Sequence, residues 1–434
     1  MLTKEIIKAC EDVLIEELQP AMGCTEPIAI AYGASILGDV LGGYPEEITV
    51  GLSGNIIKNV KSVIVPSSGG MHGIESAVSA GIVAGCPEKR LEVLTALKED
   101  AKERITEFMS FCKIAVNELI SPCTFDLLLE GRLGEGRATV RISERHTNVV
   151  AVTKNGEDLT GKYKESGVIP AQSKADKSLL TVERIVEFAE NCDLSRVEPY
   201  VKRQIDMNMA IAKEGLESYY GVAIGKLLYK DGNTDIIGKA KAFAAAGSDA
   251  RMSGCELPVC IISGSGNQGI TASVPVAVYA REMGVDEETL LKAVVVSDLI
   301  TAHLKDGIGC LSAYCGAISA GCGSGAGISF LTGGRYYEIA HTVVNALAIL
   351  SGTICDGAKP SCAAKIAMAV EAGIMGWEMA KSKRQFLSGD GIVTKGVENT
   401  IKNVGILARE GMSETDKKII SIMLGTTTKN ENQN

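Results

Sequence analysis

The residues best suited to chemistry are cysteines that cluster in one C-terminal stretch, among glycines and other small side chains. They stand at positions Cys310, Cys315, Cys322, Cys355 and Cys362. No C-x-x-C pair occurs in the chain, so the spacing does not match a zinc knuckle. Iron–sulfur clusters accept wider spacing because each thiolate binds a different corner of the cluster. A buried free cysteine is also simply a small apolar side chain, and the residues alone leave both interpretations open.

A further cysteine, Cys24, stands in the segment MGCTEP, directly before a run of small apolar residues that predicts a helix. Thr25 is the predicted N-cap of that helix, and Pro27 suits its first turn. The positive end of a helix dipole lowers the pKa of a nearby thiol. This placement therefore favours a chemical role for Cys24 over packing.

A glycine-rich loop, SSGGMHG at 67–73, precedes another predicted helix. Backbone N–H groups in such loops bind carboxylates or phosphates, although a plain turn with a helix cap has the same composition. An imidazole is seldom needed for packing in such a loop, so His72 is a second candidate for the catalytic base. The other residues predicted here to contact a small substrate are Asn55, Lys58, Ser67, Ser68, Gly69 and Gly70.

A second glycine-rich loop, at 264–269, matches the G-x-G-x-x-G pattern of dinucleotide sites. Such a site needs a second strand bearing an acidic residue about 20 positions further on. The sequence that follows is helical in pattern, so a nicotinamide dinucleotide is rejected. Asn267 and Gln268 are instead predicted to line a small-molecule or cluster pocket. His146 is interpreted as structural, and His303 and Lys305 as ordinary surface or capping residues unless they face that pocket.

Composition and periodicity predict an α+β fold in two parts. Residues 1–175 are predicted to hold a helix at 3–19, two β-rich runs within 47–66, a helix at 91–120 and a small antiparallel sheet at 124–165. Residues 176–434 are predicted to be mainly helical and to carry the cysteine cluster.

Charge and hydropathy narrow the class of function. The 434 residues carry a net charge of −9, which makes nucleic acid an unsuitable partner. No apolar run reaches the roughly 18 residues that span a bilayer, and the N-terminal residues lack a signal-peptide pattern. Thirteen cysteines without such a signal suit a reducing cytoplasm. We expect a soluble cytoplasmic protein with a small substrate, and a homo-oligomer is left open.

The stretch CGAISAGCGSGAG, followed by TICDGAKPSCAAK, resembles the iron–sulfur-dependent L-serine dehydratase α-chain group, most closely its L-cysteine desulfidase branch. The segments MGCTEPIAIAYGA, SGNIIKNVKSVIVPSSGGMHG and SGSGNQGITASVPV carry the same resemblance. It therefore extends over nearly the whole chain. The spacing of Cys355 and Cys362 is shorter than in the serine dehydratases, and the C-terminal tail has no cysteine. Both departures favour the desulfidase branch.

The resemblance implies a [4Fe–4S] cluster held by Cys315, Cys355 and Cys362, with one iron open to substrate. Cys24 would be a fourth ligand in the resting state or a proton-transfer group. The implied reaction is β-elimination of L-cysteine to pyruvate, sulfide and ammonia. The alternatives are L-serine dehydration on the same cluster, a non-catalytic iron–sulfur sensor, and a lyase dependent on pyridoxal phosphate rather than on a metal.

Overall fold

The computed structural model describes residues 2–164, 175–230, 234–309 and 311–424. Cys310 and the middle of the polar linker that the sequence predicts at 164–180 lie outside the described residues. The helices are α1 Lys4–Glu17, α2 Thr25–Leu41, α3 Gly54–Val60, α4 Ile74–Ala84, α5 Ala101–Phe111, α6 Thr160–Tyr163, α7 Val182–Asn191, α8 Glu198–Glu217, α9 Ile224–Leu228, α10 Ile236–Met252, α11 Gly266–Met283, α12 Glu287–Ile308, α13 Gly316–Leu331, α14 Tyr336–Leu350, α15 Cys362–Lys381, α16 Val397–Ile406 and α17 Ser413–Leu424. The strands are β1 Pro20–Met22, β2 Glu47–Leu52, β3 Lys113–Glu118, β4 Asp126–Leu133, β5 Gly136–Ser143, β6 Val149–Lys154, β7 Glu157–Asp158 and β8 Pro258–Cys260.

The predicted α+β fold is confirmed. Six strands form one sheet in the order β3-β2-β4-β5-β6-β7, in which β2 and β3 are parallel and the other neighbours antiparallel. Alternate residues of β2 are buried, as expected for a strand with one covered face. The cover is α2, whose Gly33 lies against Leu127 and Leu129 of the sheet. Because α2 is enclosed by the sheet and by α4, it is apolar on nearly all sides.

Two predictions for the N-terminal part are wrong. The helix expected over 91–120 is a 3₁₀ segment at Pro87–Ala96, then α5, then strand β3. The sequence KIAVNE of β3 alternates with period two, and pairing with β2 makes it a strand. The second β-rich run expected after residue 53 is helix α3. Its buried Ile56, Ile57 and Val60 have helical spacing, so the β-branched composition was misleading.

Small residues set how closely the C-terminal helices pack. A Cβ on Gly321 or Gly325 of α13 would lie 2.4 or 2.5 Å from a carbonyl oxygen of α15. A Cβ on Gly323 or Gly327 would lie 2.5 or 2.7 Å from a carbonyl oxygen of α12. Side chains of alanine size or larger are therefore excluded from both contact lines of α13. The glycine- and alanine-rich sequence is what lets these backbones touch.

The order of these contacts gives the helix directions. Gly321 and Gly325 meet Ala369 and Gly373 in ascending order, so α13 and α15 are parallel. The same comparison of contact order shows that α11 is parallel to α13. It also shows that α10 is antiparallel to its neighbour α11, and that α12 is antiparallel to its neighbour α13. The N-terminal ends of α11, α13 and α15 and the C-terminal ends of α10 and α12 consequently lie at one end of the bundle.

The N-terminal part reaches the same end of the bundle. Strand β1 pairs antiparallel with β8, and the Thr25 hydroxyl donates a hydrogen bond to the Gly264 carbonyl at 2.9 Å. These contacts bring the start of α2 beside the start of α11. The division of the chain at 175/176 stays a prediction. Among the helices described, none has the length and apolar character needed to span a membrane.

Candidate active site

A cleft of about 820 Å³ opens where these helix ends meet. The N-terminal ends of α2, α11, α13 and α15 all contribute lining residues, and each carries the positive end of a helix dipole. The lining side chains able to do chemistry are Cys24, Glu26, Lys58, Asn59, His146, Arg251, Asn267, Gln268, Lys305, Cys315, Cys355, Cys362 and Lys365.

The structure brings the three predicted cluster cysteines to this one cleft. Cys315 is the N-cap of α13 and Cys362 is the first residue of α15, so the parallel packing of the two helices places them side by side. Pro360, two residues before Cys362, predicts a helix start from the sequence, and the start of α15 confirms it. Cys355 lies on a loop whose backbone bonds hold it to the start of α13: its N–H donates to the Ala313 carbonyl at 2.6 Å. The three thiols are free.

The thiols of Cys315 and Cys355 share a hydrogen bond, and this separates their acidities. As the donor, Cys315 has a raised pKa, and burial raises it further. As the acceptor, Cys355 has a lowered pKa, and the nearby positive charges of Lys58 and Lys305 favour its thiolate against the opposing effect of burial. Burial raises the pKa of Cys362. Of the three thiols, Cys355 is therefore the one whose thiolate form the site favours.

These residues fit an iron–sulfur cluster. The donors are three thiols, glycine and alanine lie beside them, and four helix N-termini with two lysines offset negative charge. Within the part of the chain that the structure describes, no three His, Cys, Asp or Glu side chains converge as they would on a single metal ion. A cluster does not require such convergence, because its thiolates bind separate iron atoms.

Cys24 is held by an acid that the sequence did not single out. Its thiol donates to Glu26 Oε2 at 3.1 Å, and Asn59 Nδ2 donates to Glu26 Oε1 at 2.9 Å. Cys24 itself, not Thr25, is the N-cap of α2. The expected lowering of its pKa is wrong, because burial and the charge of Glu26 raise it and outweigh the helix dipole. Cys24 is thus a protonated thiol aimed at a carboxylate.

Two further buried groups complete this side of the cleft. His146, interpreted from the sequence as structural, lines the cleft and packs its ring on Phe125, and burial lowers its pKa. Arg251, in the last turn of α10, donates from Nη1 to Asn267 Oδ1 at 3.0 Å. Neither residue has a local motif. Long-range packing brings both residues close to Glu26, and no sequence pattern revealed that these three side chains meet.

Three lysines line the side of the cleft opposite Cys24. The Lys58 ammonium is fully buried and pairs with Asp416 of α17 at 2.5 Å. Lys365 donates to the Ile354 carbonyl at 2.9 Å and to Asp356, which ties down the loop bearing Cys355. Lys305, expected to be an ordinary surface or capping residue unless it faced the pocket, is buried in the cleft wall. His303 instead pairs with Glu398 outside the cleft.

The predicted substrate contacts divide between cleft and surface. Lys58, Asn267 and Gln268 line the cleft. The remaining predicted residues, Asn55, Ser67, Ser68, Gly69, Gly70 and the candidate base His72, are not among its lining. The loop at 67–73 closes on itself because the Ser68 hydroxyl bonds to the carbonyl of Val65, and His72 is exposed. The structure thus gives this loop the geometry of a surface turn.

The sequence of the chain matches a known enzyme family. The family model described as serine dehydratase alpha chain matches residues 88–421. The chain belongs to this family, whose members are lyases of the dehydratase type.

Individual relatives extend the match to the remaining N-terminal residues. UPF0597 proteins are 53% identical in Desulfitobacterium hafniense, 45% in Lachnoclostridium phytofermentans and 42% in Treponema denticola. In each case the alignment covers 95% of this chain and 96–98% of the relative. Their names state no substrate.

Proposed function

We propose that this chain is a cytoplasmic [4Fe–4S]-dependent carbon–sulfur lyase that converts L-cysteine and water to pyruvate, sulfide and ammonia. The observation that carries the proposal is the meeting of Cys315, Cys355 and Cys362 in one electropositive cleft, with Cys24 in its wall. Membership of the serine dehydratase alpha chain family supports the reaction class. The free thiols of the described residues suit a reducing compartment.

Cys315, Cys355 and Cys362 would hold the cluster. When bound, it supplies a Lewis acid that stabilises the leaving sulfide. Lys58 and Lys305 place positive charge beside Cys355 and thereby favour the thiolate form that a ligand needs.

The remaining chemistry falls to the pair of Cys24 and Glu26. Elimination requires loss of the α-proton, and Glu26 is aligned to accept the Cys24 proton so that the thiolate can take the one from substrate. The C–S bond then breaks and sulfide departs. The aminoacrylate released hydrolyses to pyruvate and ammonia, which balances the reaction.

A second candidate is dehydration of L-serine in the same cleft, and the family description favours it. The two substrates differ in the leaving group alone. Hydroxide leaves less readily than sulfide and needs more acid assistance. The ratio of kcat/KM for L-cysteine to that for L-serine decides between the candidates.

The deciding experiment measures iron and acid-labile sulfide after anaerobic purification, together with pyruvate and sulfide released from L-cysteine. We expect about four iron atoms per chain and both products. Serine substitution of Cys315, Cys355 or Cys362 singly should remove iron and activity together. Cys86→Ser, outside the cleft, is the matched control and should keep both. Full activity without iron would contradict the proposal, and iron without turnover would favour a sensor.

A further inference from the structure

Arg251 is a buried cation with unused hydrogen-bond donors. The residue is only 2% exposed and lines the cleft. Its Nη1 bonds to Asn267 Oδ1, but Nε and Nη2 have no hydrogen-bond acceptor within the described part of the chain. A buried charge with unmade hydrogen bonds is strongly unfavourable unless an anion completes them. The guanidinium therefore indicates an anionic ligand in this wall of the cleft.

The nearest acid does not supply that anion. Glu26 lies close enough for the charge of Arg251 to lower its pKa, against burial, which raises it. Its Oε2 accepts hydrogen bonds from Cys24 and Thr25, and its Oε1 accepts one from Asn59. No ion pair joins Glu26 and Arg251 among the described residues. The Nε–Nη2 edge of the guanidinium thus has no acceptor among the described residues.

The arrangement of the guanidinium selects the shape of the ligand. Nε and Nη2 form one side of the guanidinium, with two nearly parallel N–H bonds that match the two oxygens of a carboxylate. Asn267 anchors the opposite nitrogen, so this side keeps its two donors without a partner among the described residues. Glycine at position 266 lets the start of α11 pack against the guanidinium and hold it in place, because a Cβ there would lie 2.3 Å from Nε.

The position of Arg251 separates it from the cysteine group. Its charge acts on Cys24, Glu26 and His146. Cys355 is instead influenced by Lys58 and Lys305. The cleft therefore has two cationic regions, one beside the proposed cluster ligands and one beside the proposed base.

We propose that Arg251 binds the α-carboxylate of the substrate, with Asn267 as the residue that positions its guanidinium. The identity of the substrate as an amino acid rests on the proposed function. The preference for a free carboxylate rests on the paired Nε and Nη2 donors of the buried guanidinium. This contact holds the α-carbon beside Cys24 and makes amides and esters of the same amino acid poorer substrates than the free acid.

Kinetics with an acid and its amide test the contact. Arg251→Lys keeps the positive charge but loses the two parallel N–H donors of the guanidinium. The KM for L-cysteine should therefore rise by about 10- to 100-fold, with a smaller change in kcat. The KM for L-cysteinamide should not change, and the preference of the wild type for the acid should disappear. Iron content and thermal stability are measured on the same samples.

Arg203→Lys is the matched control. Arg203 is a partly buried arginine on α8 that donates to the Leu18 carbonyl and does not line the cleft. Its substitution should leave the acid-to-amide preference intact. Asn267→Asp is a second variant in case Arg251→Lys does not fold. A carboxylate there competes for the guanidinium, so the KM for L-cysteine should again rise while that for L-cysteinamide stays constant.

Calorimetry with L-alanine and L-alaninamide separates this inference from the proposed function, because neither compound has a leaving group. Binding of L-alanine to the wild type that is lost in Arg251→Lys supports the carboxylate site even if L-cysteine is not turned over. Turnover of L-cysteine with an unchanged acid-to-amide preference in a folded Arg251→Lys protein overturns the inference and leaves the lyase proposal standing. Failure of the wild type to bind either L-alanine or L-cysteine overturns it as well.

Discussion

Glu26 uses both carboxylate oxygens to fix the Cys24 side of the cleft. Burial alone raises the pKa of this acid, but the charge that His146 carries when it is protonated, the hydrogen bonds from Cys24 and the backbone, and the charge of Arg251 lower it overall. Glu26 therefore stays ionised in the protein interior. A charged acceptor 3.1 Å from the thiol gives Cys24 both an orientation and a destination for its proton.

Glu26→Gln should lower kcat for L-cysteine by about 100-fold, because the amide cannot accept the Cys24 proton. The iron content should match that of the wild type, since Glu26 is not among the proposed ligands. Anaerobic steady-state kinetics with iron analysis on the same sample checks both. Glu75→Gln, an exposed acid in the first turn of α4, is the control. Wild-type kcat in Glu26→Gln would show that Cys24 acts without this acid.

Among the individual residues of the site, the sequence revealed the thiols but not the side chains that contact them. Cys315, Cys355 and Cys362 stand out because glycine and small residues surround them. Glu26 stands in the segment MGCTEP, but nothing there marks it as the partner of Cys24, and His146 and Arg251 carry no local signal. The hydrogen bond between Thr25 and Gly264 shows that residues 239 positions apart define this wall. The expectation for the Cys24 pKa failed for the same reason, since the helix start was visible in the sequence but the depth of burial was not.

Helix α13 connects the small-residue sequence to the geometry of the cleft. Its glycines contact the backbones of α15 on one side and α12 on the other. The parallel contact puts Cys315 beside Cys362, and the antiparallel contact brings the end of α12, with Lys305, to the same place. Close backbone packing along α13 therefore determines the spacing of the thiols.

Gly325→Ala should disturb both stability and the cluster, because its Cβ would lie 2.5 Å from the Gly373 carbonyl oxygen. Forcing α13 and α15 apart should cost about 1–3 kcal/mol and lower the iron content. Denaturant unfolding and iron analysis measure the two effects. Gly352→Ala is the control, as no atom lies within 4 Å of the added Cβ. Equal stability and iron content in both variants would refute this account of α13.

The elements themselves were predictable where periodicity was strong. Helix α1 and the antiparallel strands β4 to β7 were expected and are confirmed. Strand β3 was missed because six residues at the end of a helical pattern carry too little signal. Its pairing with β2 decides its conformation, and that contact joins segments more than 60 residues apart.

The whole molecule is acidic, yet its cleft is positive. The net charge of −9 contrasts with the cleft wall, where Lys58, Lys305, Lys365 and Arg251 lie with four helix N-termini. The net charge predicts that nucleic acid is not a partner, but composition could not reveal this inversion of charge in the cleft. The field attracts a small anion and repels cations, which agrees with an amino-acid substrate held by its carboxylate.

One buried acid outside the cleft makes the stability of the whole molecule depend on pH. Asp298 of α12 is fully buried, accepts a hydrogen bond from Gln204 Nε2 at 2.9 Å, and its Oδ2 has no partner among the residues described. Burial raises its pKa from 3.8 to about 8. Between these values the folded state binds more protons than the unfolded state, so stability falls as pH rises.

Asp298→Asn should remove this dependence, since the amide oxygen still accepts from Gln204 and no ionisable group is left. Between pH 5 and 7, the unfolding free energy of the wild type should fall by about 1 kcal/mol per pH unit relative to that of the variant. Urea unfolding at several pH values measures the difference. Asp206→Asn, an exposed acid on α8, is the control and should follow the wild type. Parallel curves for wild type and Asp298→Asn would mean that Asp298 is ionised in the folded chain, and its buried charge would then require a cation that the described contacts do not provide.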